Sequence, residues 1–224
     1  MSQRRPIIPL NIFQCWATKV LPPGMKNAVE SIKKANPEFT HFLYDNAECR
    51  HFIAKECPPC VLRAYDRLVP GAYKADLWRL CILYMRGGIY MDIKFSPLNN
   101  YKLIHLTNAE HFVKDRPPNT IYNAFMVCKP KNAFILACIN KIIQNVNKKY
   151  YGASGLDPTG PGLLGKVNFH YRVNVDLIHP QKGGEILYNG KPILKTTYPT
   201  YGKERSALGG MRYPVLWTAH KIYK

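Results

Sequence analysis

The most constraining feature of this chain is a stretch that should bury a helix on every side and yet places two opposite charges on it. Residues Tyr73 to Pro97 read YKADLWRLCILYMRGGIYMDIKFSP. Leu77, Trp78, Leu80, Cys81, Ile82 and Leu83 cover nearly the whole circumference of a helix spanning Tyr73 to Met85, which marks it as buried. Gly87 and Gly88 suit a left-handed stop behind it. Asp76 and Arg79, three residues apart, share one face of that helix. Burying a carboxylate and a guanidinium is costly unless they pair or bind something polar. A structural ion pair and a pair that serves a ligand both satisfy this condition.

The next segment favours the ligand. From Ile89 to Phe95 the residues alternate, with Ile89, Met91, Ile93 and Phe95 facing one way and Tyr90, Asp92 and Lys94 the other. Ligands of open α/β sheets sit at the carboxyl ends of strands. A ring, a carboxylate and an ammonium there, just after the Asp76 helix, form a plausible cradle for a nucleotide diphosphate. An exposed edge strand could carry the same trio for solubility, but would not place it beside a buried Asp/Arg pair.

The flanking pattern supplies the scaffold. Ile7 to Trp16 reads as a first strand, Met25 to Ala35 as a helix, Phe39 to Tyr44 as a second strand, and Cys49 to Lys55 and Val61 to Leu68 as short helices around Pro58-Pro59. This alternation predicts an α/β fold with a mainly parallel central sheet. Ala124 to Val127 follows as a strand and Ala133 to Val146 as an amphipathic helix. A Gly/Pro-rich loop from Gly155 to Gly165 leads into a helix at Leu163 to Val173, and the remaining residues look turn-rich with short strands. No linker or repeat interrupts the chain, so residues 1–224 are expected to form one domain.

A formal net charge of +18 predicts attraction to polyanions, including an anionic membrane surface. No zinc finger or RNA-recognition signature accompanies it, so a generally basic, solvated surface is the simpler reading. Seven cysteines, an odd number, point to reduced thiols. Cys57-Pro-Pro-Cys60 is half a zinc motif without its other half and reads as a loop between helices. The opening MSQRRPIIPLNIF is too short and Pro-broken for a signal peptide, and no window is apolar enough to span a membrane, which points to a cytoplasmic protein.

The pattern KADLWRxxILYxxGGIYMD resembles the DXD-containing sugar-binding region of the glycosyltransferase 32 family, which includes yeast-type initiating mannosyltransferases and is related to clostridial glucosylating toxins. Weaker similarities follow in order: IPLNIFQCW resembles the family's opening strand, PEFTHFLYDNAECRHFI its second strand and turn, and Asn123 to Pro130 followed by Asp157-Pro158-Thr159-Gly160-Pro161 its N-A-F and T-G-P stretches. The resemblance implies a GT-A fold and retaining transfer of a hexose from a GDP- or UDP-sugar to an acceptor hydroxyl on a glycan, lipid or protein. It also implies residue roles. Trp16 would stack on the donor base, Asp76 and Arg79 would hold the sugar hydroxyls, Tyr90 would lie near the diphosphate, and Asp92 would contact the donor and its metal.

Lys94 stands where the second DXD aspartate is expected, and an ammonium cannot ligate a cation. This D-x-K form is similar to that of family members from algae and large DNA viruses. Two accounts of it are open. Lys94 could neutralise the leaving diphosphate itself, which would make it part of the catalytic set with Asp76, Arg79 and Asp92. Alternatively a divalent cation, Mn²⁺ or Mg²⁺, is held by Asp92, the donor phosphates, water and a tail ligand, for which His220 is the candidate. A sugar-nucleotide-binding pseudoenzyme and a basic nucleic-acid-binding module are the competing functional readings.

Overall fold

The computed structural model describes residues 6–209 and 211–224; Arg4 and Arg5 of the opening stretch lie outside the described residues. Pro9 holds the chain out of the sheet, so β1 spans Asn11–Cys15 rather than beginning at Ile7. Helix α1 (Pro23–Ala35) leads to β2 (Thr40–Tyr44), which lies parallel to β1. Asp45 caps α2 (Asn46–Glu56) through a reciprocal capping box with Glu48. Pro58 breaks the chain before α3 (Pro59–Arg67). The buried α4 (Gly71–Arg86) then runs into β3 (Gly88–Met91), parallel to β1 on its other side. Gly88 crosses β1 with φ 121° and so close that a Cβ would lie 2.6 Å from the carbonyl oxygen of Asn11.

The strand expected to reach Phe95 ends at Met91. Asp92 still donates its N–H to Ala124, but its carbonyl accepts from Phe95 in a turn. That turn folds Lys94 back toward Asp92 instead of spacing them along a strand.

Beyond β3 come β4 (Ser96–Pro97), β5 (His111–Lys114), β6 (Ile121–Cys128), α5 (Ala133–Asn147) and α6 (Pro161–Tyr171). They are followed by β7 (Leu177–Ile178), β8 (Glu185–Tyr188), β9 (Lys191–Lys195), α7 (Tyr201–Ala207) and α8 (Tyr213–Thr218). The described strands join one sheet in the order β2-β1-β3-β6-β5-β7-β8-β9-β4. It is parallel across β2-β1-β3, the half that α1, α2 and α4 connect, and mixed beyond, where β6 runs antiparallel between β3 and β5. The larger core packs Trp78, Leu80 and Leu83 of α4 with Phe134, Ile135 and Ile142 of α5; a second packs Ile89, Met91 and Phe125 on the opposite face of the sheet.

Two features of the periphery bear on the site. The brief β5–β7 pairing is flanked by two His/Asp contacts, His111 with Asp176 at 2.7 Å and His179 with Asp115 at 3.1 Å. The last residues return to the link between α3 and α4: Tyr223 bridges Leu68, Ile222 accepts from Val69 and Lys224 donates to Arg67. No helix among the described residues is long and apolar enough to cross a membrane.

A relay on the first two strands sets a pH dependence. His41 Nε2 contacts Gln14 Oε1 at 2.7 Å, and the fully buried Gln14 donates to the carbonyl of Asp92 at 3.3 Å. Burial, helped by Lys33, depresses His41 to about 4. The folded state therefore binds fewer protons than the unfolded chain between the ordinary histidine value and about pH 4. Stability should fall across that window as pH drops, by on the order of 1–2 kcal/mol after allowing for the partial exposure of His41. Urea melts from pH 7 to 4 should show this decline in the wild type and a shallower one in His41→Gln. Equal declines would remove His41 as the source.

Candidate active site

The carboxyl ends of β1 and β3, the first turns of α4, the start of β6, the loop before α6 and the C-terminal segment enclose a cavity of about 530 Å³. That size is typical of small-molecule sites. Trp16, Asp76, Arg79, Tyr90, Asp92 and Lys94 all line it, so these residues meet in one place although they are spread over four local structures. His220 does not line it. The His220 ring is exposed and packs on Tyr151, with centroids 4.5 Å apart. The expected tail ligand for a metal beside Asp92 is therefore corrected: α8 ends before His220, and the next residues turn away toward α3.

Arg79 is the hub of the polar floor. Its Nε donates to the Ala75 carbonyl at 3.1 Å and its Nη1 to the Asn123 carbonyl at 2.9 Å. The same guanidinium lies 3.3 Å from Asp76 and 3.4 Å from Asp92, and stacks over the Tyr90 ring at 4.4 Å. Only 6% exposed, Arg79 borders the cavity with most of its donors turned to protein groups, and it holds the two carboxylates in position.

Asp76 also receives Asn123 Nδ2 on Oδ1 at 2.9 Å and the Thr159 hydroxyl on Oδ2 at 2.8 Å. An ionised carboxylate has about four acceptor positions, so this set leaves room for one ligand hydroxyl. A Cβ on Gly160 would meet the Leu156 carbonyl oxygen at 3.3 Å and Asp76 Oδ2 at 3.5 Å, so this loop passes in contact with the carboxylate. Burial pushes the Asp76 carboxyl above its ordinary value, against the pull of Arg79, Thr159 and Asn123.

Asp92 is saturated differently. Its Oδ1 accepts from the Tyr90 hydroxyl at 2.9 Å, and its Oδ2 from Lys94 Nζ at 2.7 Å. Burial opposes ionisation here too, but Lys94 and Arg79 outweigh it and hold the Asp92 pKa below the usual range. Burial likewise disfavours the Lys94 ammonium, and Asp92 reverses that, so Lys94 stays charged well above neutral pH.

Other residues of the site had weak sequence signals. Asn123 and Thr159 lie in the N-A-F and T-G-P stretches, which marked the region but not their bonds to Asp76. Asp115 lines the cavity and is held by His179. Tyr201, Arg205, Arg212 and Tyr213 line it from the C-terminal segment, which forms two short helices where turns and strands were expected. Glu204 pins that segment: its carboxylate accepts from the Gly24 and Met25 N–H groups at 3.0 and 3.2 Å, and from the Tyr198 and Thr200 hydroxyls. Helix α1 has no side-chain cap of its own, so an acid nearly two hundred residues away serves as one. Trp16 Nε1 is buried without a hydrogen-bond partner among the described residues, and its indole lines the cavity. Orphaned donors of this kind are rare in the absence of a ligand or water.

The sequence of residues 22–113, from α1 into β5, matches the model of the glycosyltransferase sugar-binding region containing the DXD motif. Over these residues the chain is similar to a DXD-type sugar-binding region, with Lys94 at the second aspartate position. Inositol phosphoceramide mannosyltransferase 3 of Schizosaccharomyces pombe is 29% identical over 141 residues, 63% of this chain and 39% of that protein, so the chain spans well under half of the relative's length. Among solved structures, the PaToxG glycosyltransferase superposes with a TM-score of 0.57 at 15% identity, covering 73% of this chain and 70% of that one. The UDP-bound glycosyltransferase domain of the YGT toxin gives 0.50 at 11% identity, with 78% and 79% covered. The fold is the GT-A type, and the sugar-binding region supplies α4, β3 and the Asp92 turn to the cavity.

DXD regions are generally served by a divalent metal. The groups around Asp92 do not suit a resident one. Among the described residues no three His, Cys, Asp or Glu side chains converge to hold a metal. Both oxygens of Asp92 already face cations or a hydroxyl donor.

Proposed function

We propose that this chain transfers a hexose from a nucleotide-sugar donor to an acceptor hydroxyl, with retention at the anomeric carbon. The observation that carries this reading is the convergence of Asp76 and Asp92 on one cavity, organised around a single buried guanidinium. In this reading the nucleotide lies toward Trp16, whose indole lines the cavity and offers a stacking face. The sugar hydroxyls lie on Asp76, and the diphosphate beside Tyr90 and Lys94. Negative charge develops on the diphosphate as the glycosidic bond breaks, and preorganised positive groups favour that step. No side chain stands out as a covalent nucleophile, so front-face attack is the proposed course, with the departing phosphate taking the acceptor's proton. The mannosyltransferase name of the yeast relative supports a GDP-sugar and the UDP-bound toxin domain a UDP-sugar. A glycan, lipid or protein hydroxyl would be the acceptor.

The test is calorimetric titration with UDP-glucose and GDP-mannose, followed by an assay for release of UDP or GDP. One donor should bind and turn over, and Trp16→Ala should weaken its binding by about 1 kcal/mol or more through lost aromatic contact. Binding without release would indicate a pseudoenzyme, and binding of neither donor would remove the reading.

A further inference from the structure

Resting on that reading, we propose that the donor diphosphate is clamped by protein cations, Lys94 from the Asp92 turn with Arg205 and Arg212 from the C-terminal segment, in place of a divalent metal. Three independent observations converge on this. The DXD turn supplies one carboxylate, and its own lysine already sits on that carboxylate at 2.7 Å. A metal held there would have to displace this ammonium and then lie beside it.

The second observation is where the remaining charge goes. Arg79, Lys94, Arg205 and Arg212 line the cavity together with Asp76, Asp92 and Asp115. Arg79 lies between Asp76 and Asp92, Lys94 holds Asp92, and Asp115 faces His179. Arg205 and Arg212 form no ion pair with a carboxylate among the described residues, although both border the cavity. Two guanidinium groups without acidic partners, beside a retained ammonium, make an anion site. Guanidinium forks suit phosphate oxygens, and their contacts are short and charge-assisted.

The third observation is that the segment is fixed in place. Tyr201 sits at the start of α7 with its ring 5.5 Å from Lys94 Nζ. Arg205 lies four residues on, hence on the same face of that helix. Glu204, the acid nearest in sequence, is spent on the first amides of α1 and two hydroxyls. Tyr213, next to Arg212, packs on Tyr73 of α4 at 5.6 Å. Helix α7 thus brings Arg205 to the cavity beside Lys94, and Arg212 borders it just ahead of α8. Together the three cations supply more positive charge than one divalent ion, distributed over both phosphates.

The experiment is calorimetric titration of the protein with UDP, GDP, UMP and GMP, in EDTA and in Mn²⁺. The clamp requires that the preferred diphosphate bind in EDTA within about threefold of its affinity in Mn²⁺. It also requires that the diphosphate bind at least tenfold more tightly than its monophosphate. Arg205→Gln with Arg212→Gln should erase most of that preference, weakening the diphosphate far more than the monophosphate, with the melting temperature nearly unchanged. Lys94→Asp, which restores a second DXD carboxylate, should abolish diphosphate binding in EDTA and recover it in Mn²⁺. Wild-type binding that is lost in EDTA overturns the clamp while leaving the proposed function standing, as does a double arginine variant that keeps the diphosphate preference. If no nucleotide binds under either condition, the proposed function falls and the clamp with it.

Discussion

Asp76→Asn is expected to fold and to lose transfer activity by about a hundred- to a thousandfold, the scale of removing one preorganised group from a polar site. The substitution keeps the size of the side chain. Thr159 can still donate to the amide oxygen, and Asn123 can turn its own amide to accept. What disappears is the negative charge beside Arg79 and the acceptor position left for a ligand hydroxyl. The stability loss should stay near 1–2 kcal/mol, because Arg79 retains Asp92 and two backbone carbonyls. The check is kcat/KM for donor hydrolysis on protein shown to be folded by near-ultraviolet circular dichroism. A folded Asp76→Asn protein with wild-type turnover would make the pair structural.

Arg79→Met should be the most destabilising single change in the site, by roughly 3–5 kcal/mol, because it leaves the buried Asp76 carboxylate without a counter-charge and takes one of the two cations from Asp92. For a chain of this size, that corresponds to a fall in Tm on the order of 10 °C. Adding Asp76→Asn should recover part of the loss, since the uncompensated charge goes with it. Additive effects of the two substitutions, measured by denaturant titration, would show that the 3.3 Å contact carries no coupling.

Both predictions concern residues legible from sequence because burial and charge conflict there. An Asp and an Arg on an all-apolar helix require a reason, and the Gly-Gly stop fixed where the following strand would aim Tyr90 and Asp92. The parallel half of the sheet was legible for a related cause: strands and helices alternated with clear periods and proline breaks from Ile8 to Met91. Legibility ended where the signal was not periodic. Nothing local distinguishes a strand through Phe95 from one that turns at Asp92, since the alternation persists while a backbone bond from Phe95 to Asp92 decides the outcome. Arg205 and Glu204 were missed because α7 is seven residues long and contains no buried residue, so it has no apolar stripe to read, and Arg212 because it only precedes the six-residue α8. Its position comes from a carboxylate capping a distant helix, a bond that sequence spacing cannot encode. His220 shows the converse error. A chemically suitable residue near the right segment was assigned to the site, but the backbone turns back toward α3 just beyond it.

That return has a thermodynamic consequence. The span from Thr196, hydrogen-bonded to Gly184 behind β9, to Ile222, paired with Val69, is a closed loop with Glu204 as a peg along its length. Closing a loop of roughly 25 residues from free ends costs about 3 kcal/mol of chain entropy. Here that cost falls on folding, and a ligand meeting Tyr201, Arg205 and Arg212 need not supply it again. Loss of the Ile222–Val69 and Tyr223–Leu68 ties should therefore move part of that cost to the binding equilibrium and weaken affinity at a cavity that neither Ile222 nor Tyr223 lines.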